Sequence, residues 1–218
     1  MLVFRIADTH LHAVLACTRR EAGTFTRSLV TRWHRHLGPA TSFEPARLRP
    51  ILDQRHLYSA TRYVLRQEEH HGIDVDPLHD GSNLPDLLGA RVLFSDSARL
   101  VREHLPRFDP TEYLPELAPV EVELGLLSDA AAGAFALAEL VGNTPVVVAA
   151  RHAAARAARD LRAEDVAEVL GLHPRSIRRL LSRPCPAEHL RAVILQMQWR
   201  AAIARARTDA SGGATRVR

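Results

Sequence analysis

A chain of 218 residues with 46% apolar side chains can bury one large core or two small ones, and it is too apolar for wholesale disorder. Its net charge of +4 comes from 29 basic residues, every one of them arginine, against 25 acidic ones. No apolar run nears the ~20 residues of a membrane helix, the first residues lack a signal peptide's basic flank and cleavage site, and Cys17 and Cys185 match no metal or redox spacing, so the sequence reads as a cytoplasmic protein with reduced thiols and no membrane partner.

Residues 2–16 are apolar at both ends and polar between, which predicts one or two short strands meeting near Asp8 and Thr9. A helix is expected from Thr24, as N-cap, to Gly38-Pro39. It sets Phe25, Leu29, Trp33 and Leu37 on one stripe and Arg27, Arg32 and Arg35 largely off it. Residues 43–53 read as a strand broken by Pro45 and Pro50, at an edge or a bulge. The next helix spans about Arg55 to His70, with Leu57, Tyr58, Thr61, Val64 and Leu65 giving it an apolar side, and stops at Gly72. Residues 73–90 read as loop.

The segment from Pro106 to Pro119 is proline-spaced and acidic, as a linker is. Only helices are expected beyond it, over 128–141, 145–160, 163–170, 174–182 and 187–207, before a small polar tail, Asp209–Arg218, that reads as disordered. The last helix sets Leu190, Val193, Ile194, Met197 and Ala201 on one side. The expected organisation is a first domain over 1–105, a linker over 106–119, a helical domain over 120–207 and a tail over 208–218. Charge follows these divisions. Residues 1–107 carry 15 arginines and 12 acids, residues 108–150 no arginine and 7 acids, and residues 151–218 14 arginines and 6 acids. A basic C-terminal third is often only a solvated face, but it also suits a nucleic-acid partner.

Two groups of residues carry chemistry. His10-Leu11-His12 on a strand would project two imidazoles from one face, able to share a metal ion, while Leu11 points the other way into a core. Tyr63 and Gln67 lie one helical turn apart, so a single helix face could offer a nucleophile and a third metal ligand. From spacing alone, a Tyr63 packed in the core beside a solvated Gln67 is the commoner arrangement. In the basic third, Leu161–Leu181 reads as a helix-turn-helix. Val166, Ala167, Val169 and Leu170 are apolar on its first helix, Gly171 makes the turn, and Pro174 opens the second helix. Ile177, Leu180 and Leu181 face inward, and Arg175, Ser176, Arg178 and Arg179 face outward toward DNA. An ordinary two-helix corner with solvated arginines is the alternative.

The run Ala7-Asp8-Thr9-His10-Leu11-His12-Ala13-Val14-Leu15 resembles the His-hydrophobe-His strand of the HUH-type single-tyrosine transposases. Phe43–Asp53, Leu57 and Arg62-Tyr63-Val64-Leu65-Arg66-Gln67 are similar to the strand and nucleophile helix of the branch known as REP-associated tyrosine transposases. Asp76-Pro77 and Ser82–Gly89 are similar to the segment that follows, so the likeness covers about residues 1–93. It implies an α+β chain: a small antiparallel, ferredoxin-like sheet with helices, then an all-α helix-turn-helix domain. The helices around 145–160 and 163–181 also look like the DNA-binding domain of the chromosomal replication initiator.

The resemblance implies strand transfer on single-stranded or hairpin DNA. Tyr63 would attack a phosphate to give a 5′-phosphotyrosine and a free 3′-hydroxyl. His10, His12 and Gln67 would hold Mg²⁺ or Mn²⁺, and the helix-turn-helix would bind duplex DNA. Two imidazoles favour Mn²⁺ over the harder Mg²⁺. The chain departs from the family in several places. Thr9 stands for the usual Asn, Gln67 is the form typical of the insertion-sequence branch, Glu68-Glu69 replaces the usual proline pattern, and His10 follows only nine residues where relatives carry a further strand and helix. The expectation is an N-terminally short domain, and the alternative function is a catalytically inactive, domesticated DNA-binding regulator. Tyr58 is the second candidate nucleophile, with Arg62 rather than an amide four residues on.

Overall fold

The computed structural model describes residues 1–7, 9–38, 40–67, 71–72, 76–92, 95–113 and 123–213. The chain is mixed α+β and mostly helical, with one two-stranded antiparallel sheet among the described residues. Strands β1 (Val3–Ala7) and β2 (His10–Val14) form a hairpin in which Val3 faces Val14, Arg5 faces His12 and Ala7 faces His10. Opposed residues share a face, so these six side chains lie on one side of the sheet.

The outer edge of β1 is closed by one carboxamide. Buried Asn83 accepts from the Phe4 amide and donates to the Leu2 carbonyl, both at 2.8 Å, and so completes the strand's hydrogen bonds as a neighbouring strand would. An isolated bridge between Arg5 and Ser82 extends this contact.

Helix α1 (Arg19–Leu37) begins six residues before the position expected. Its N-cap is Thr18, whose hydroxyl accepts from the Glu21 amide while the Glu21 carboxylate accepts from the Thr18 amide. Thr24 is interior and returns its hydroxyl to the Arg20 carbonyl. Residues 43–53 are irregular rather than a strand. Pro45 and Pro50 remove two backbone donors and most of the stretch is exposed, so no ladder forms there.

Helix α2 (Gln54–Leu65) starts at the Asp53 cap and packs on both strands. It stops at Arg66, short of the expected His70, although Gln67 and His71 are again helical; residues 68–70 lie outside the described set. The expected loop over 73–90 contains a short helix, α3 (Leu84–Leu87), and the stretch after it forms α4 (Ser95–His104), for which no helix was expected. A 3₁₀ turn at Pro110–Tyr113 occupies part of the expected linker; residues 114–122 lie outside the described set.

The remaining helices are α5 (Leu124–Ala134), α6 (Pro145–Ala157), α7 (Ala163–Val169), α8 (Pro174–Leu181) and α9 (Ala187–Gly213). Helix α5 begins and ends earlier than read, and α9 continues six residues beyond 207 into the stretch expected to be disordered; residues 214–218 are outside the described set.

Two apolar clusters result. The first gathers the sheet face and α2 through Val3, Val14, Val64 and Leu65, with Leu84 and Val101 below. The second joins α5 to α9 around Leu127, Phe135, Ala154, Val166, Ile177 and Val193. Helix α9 belongs to both. Leu195, Trp199 and Ile203 recur every four residues and pack on the first cluster, while Val193 and Met197 pack in the second. Between these stripes the buried Gln196 donates to the Ala90 carbonyl at 3.1 Å. Among the described residues no helix is long and apolar enough to cross a membrane.

Candidate functional site

The sheet face that α2 covers is apolar at one end and polar at the other. Val3 and Val14 are buried under α2, whereas His10, at the turn end, is exposed and His12 is half-buried. The ordinary strand period therefore puts both imidazoles on the side where α2 delivers its own residues. Tyr63 comes from α2. Its ring meets His12 edge-on, with centroids 5.6 Å apart and planes at 89°, and the residue stays 49% exposed.

The chain has three tyrosines, and they occupy different surroundings. Tyr58 packs on Phe108, with the Arg62 guanidinium 5.9 Å from its centroid. Tyr113 sits between Phe108 and Arg66, and burial pushes its hydroxyl up to about 12. Tyr63 is the tyrosine brought against the paired histidines.

Gln67 does not project beside them as a solvated residue. It is fully buried, donates its amide nitrogen to the Tyr63 carbonyl at 2.9 Å, and places its oxygen 3.2 Å from His71 Nε2. His71 in turn stacks on His10, at 5.6 Å between centroids, and His10 stacks on His12 at 6.2 Å. Thr9, which stands where the family has Asn, pairs its hydroxyl with His10 Nδ1 at 3.1 Å.

The result is a row of three imidazoles along the sheet with a phenol at one end. Sequence reading missed His71. Its signal was the four-residue step Tyr63, Gln67, His71, hidden by an expected helix end.

Arg5 is the second residue missed. It lies opposite His12 in the hairpin, is buried, and donates through Nη2 to the Asp76 carbonyl at 3.1 Å. Burial lowers its guanidinium to about 10, against a smaller opposing pull from Asp76, so it remains a cation at neutral pH. A cation on the same sheet face adds positive charge beneath this site, which suits anions such as phosphate oxygens. The alternation of Val3, Arg5 and Ala7 on a buried face was the available sign.

As donor types, imidazole nitrogens suit a borderline divalent ion such as Mn²⁺ better than Mg²⁺, and the Gln67 oxygen is already turned to His71. Among the described residues no group of three or more His, Cys, Asp or Glu side chains is gathered closely enough to hold a metal ion.

The second candidate surface is on α7 and α8. Gly171, at φ +61°, turns the chain between them in a left-handed conformation that favours glycine, and the Leu172 amide reaches the Ala167 carbonyl at 2.8 Å. His173 caps α8 through the Arg175 amide, and Pro174 fills its first turn. Ile177 and Leu180 are buried, leaving Arg175, Arg178 and Arg179 exposed and Ser176 partly so. Arg178 is held by Glu164 of α7 at 2.7 Å.

No protein-family model matches the chain, and neither a curated protein nor a solved structure matches it.

Proposed function

We propose that this protein cleaves and rejoins single-stranded or hairpin DNA through a covalent phosphotyrosine on Tyr63. The observation that carries the reading is the half-exposed Tyr63 set edge-on against His12, at the end of the row formed with His10 and His71. In this reading the chain is a REP-associated, HUH-type tyrosine transposase whose hairpin and α2 stand for the family's sheet and nucleophile helix.

The Tyr63 oxygen attacks phosphorus. The new bond is tyrosine O–P and the bond broken is P–O3′. The phenolic proton passes to a neighbouring neutral imidazole, and the leaving 3′ oxygen takes up a proton. Arg5 supplies positive charge near the phosphate oxygens. Gln67 is a positioning residue that ties the α2 backbone at Tyr63 to the His71 ring. His10 and His12, side by side on one strand face, are the side chains that would meet Mn²⁺ or Mg²⁺, which would polarise the phosphate and lower the barrier to attack by the phenol.

The test is incubation with labelled hairpin DNA and Mn²⁺, followed by denaturing electrophoresis. A shifted covalent band should form with the native chain and vanish in Tyr63→Phe, while Tyr58→Phe retains it. A band that survives Tyr63→Phe and disappears in Tyr58→Phe would reassign the nucleophile.

A second reading rests on a separate observation, the exposed Arg175, Arg178 and Arg179 opposite the buried Ile177 and Leu180. In it α7 and α8 are a helix-turn-helix that docks α8 in a major groove, and the protein is a DNA-binding regulator without cleavage activity. Duplex binding that persists with no covalent band under any metal would favour this reading.

A further inference from the structure

Helix α1 is the longest helix of the first hundred residues, and Ala22 is its one fully buried side chain. On its apolar side Trp33 meets Phe43 at 5.6 Å, with His34 beside it at 4.9 Å, while Phe25 and Leu37 stay exposed. The opposite line is polar in an unusual way. At about 100° per residue, Thr24, Ser28, Thr31 and Arg35 run along the outward centre, with Arg20 and Arg27 on one flank and Arg32 on the other. All seven are exposed.

The helix contains a single carboxylate, Glu21, and that group is engaged in the capping box with Thr18. Among the described residues Arg20, Arg27, Arg32 and Arg35 have no acidic partner, in contrast to Arg162 and Arg178, which are held by Asp165 and Glu164. An exposed helix face with four uncompensated guanidiniums and intervening hydroxyls is complementary to a phosphate backbone.

We infer that α1 is a second nucleic-acid contact of this protein, a helix that docks its Arg20, Arg27 and Arg32 on the phosphates of duplex DNA. A helix with its side chains is about 10–12 Å across, close to the ~12 Å width of the major groove. Arg20 and Arg32 are separated by about 18 Å of helix rise, and they flank the hydroxyl line so that each can meet a different strand. An anionic membrane surface suits the arginines equally. A helix lying on a membrane turns its apolar side to the lipid; here Trp33, at the centre of that side, is taken by Phe43, and the guanidiniums lie on the opposite face. The inference does not depend on the chemistry of Tyr63.

The experiment measures binding of a labelled blunt duplex to the full chain by fluorescence anisotropy across a range of salt. Its variants are Arg20→Gln/Arg27→Gln/Arg32→Gln in α1 and Arg175→Gln/Arg179→Gln in α8. Glutamine keeps helix propensity close to that of arginine, and circular dichroism checks the fold. The α1 variant should bind more weakly, with a log–log salt slope shallower by roughly 0.9 per arginine removed. Should that variant misfold, Thr24→Glu/Ser28→Glu keeps every arginine and should weaken binding by repulsion of the phosphates.

A loss confined to the α8 variant overturns the inference and leaves the helix-turn-helix reading standing. A loss confined to the α1 variant does the reverse. No binding by the native chain overturns both. Arginine-dependent capture of the α1 helix by vesicles rich in anionic lipid, with duplex affinity unchanged in the variant, would reassign the face to a membrane.

Discussion

Trp199→Ala tests whether the two halves fold as one body. The side chain is 2% exposed and sits in the first cluster, yet it belongs to α9, which also builds the second. A buried tryptophan removes about 150–250 Å² from water, or about 4–6 kcal/mol at 25 cal/mol per Å² as an upper estimate. Measured truncations of this kind cost about 3–5 kcal/mol, a large share of a typical domain's ~5–15 kcal/mol.

Trp199→Phe should be far milder. Among the described residues the buried indole nitrogen has no hydrogen-bond partner, so phenylalanine loses area but also removes an unsatisfied donor worth about 1–3 kcal/mol. Urea unfolding should be followed by far-ultraviolet circular dichroism together with fluorescence of Trp33, the other tryptophan. Both signals should shift together to lower urea in Trp199→Ala, and little in Trp199→Phe. Two separate transitions, with Trp199→Ala moving only the Trp33 signal, would refute the argument that α9 couples the clusters.

Gly133→Ala would place a Cβ 2.7 Å from Arg200 Nη2 and 2.9 Å from Gln196 Oε1, disturbing the residue that holds the Ala90 carbonyl; a loss of roughly 1–3 kcal/mol in the same urea assay is expected. Asp86, pushed up to about 7 by burial and only partly drawn back by Arg91 at 3.5 Å, has a folded pKa above its unfolded value near 3.9. Its contribution to stability is therefore full below about pH 4 and lost as pH rises through about 7, and Asp86→Asn should flatten that part of the urea-midpoint profile. Glu164→Gln should cost no more than about 1 kcal/mol of stability, because its bond to Arg178 is solvent-exposed, and should tighten duplex binding a few-fold by freeing that guanidinium. An unchanged affinity would mean that Arg178 does not meet DNA.

Local signals in the sequence carried much of the fold. Proline at the first turn of α6 and of α8, the Asp53 cap of α2, and Gly171 between α7 and α8 act within a few residues of themselves, so the starts of those helices could be placed to within a turn. The Thr18-Arg19-Arg20-Glu21 capping box is equally local and starts α1 ahead of Thr24. The two-residue period of a strand and the four-residue step of a helix also grouped His10 with His12 and Tyr63 with Gln67. Which groups would meet depended on distant packing. Only the docking of α2 on the hairpin set Tyr63 against His12 and turned Tyr58 toward Phe108. Burial of Gln67, which spacing left as a solvated residue or a ligand, came from the same docking and brought His71 into the row. Pro45 and Pro50 discouraged a strand locally, and the mostly exposed stretch at 43–53 stays irregular. Asn83, eighty residues along, closed β1, and α9 joined two clusters because one stripe of it, Leu195, Trp199 and Ile203, faces a core built by the start of the chain. A sequence pattern reports which side of an element is apolar; the partner it is buried against is fixed only when the whole chain has closed.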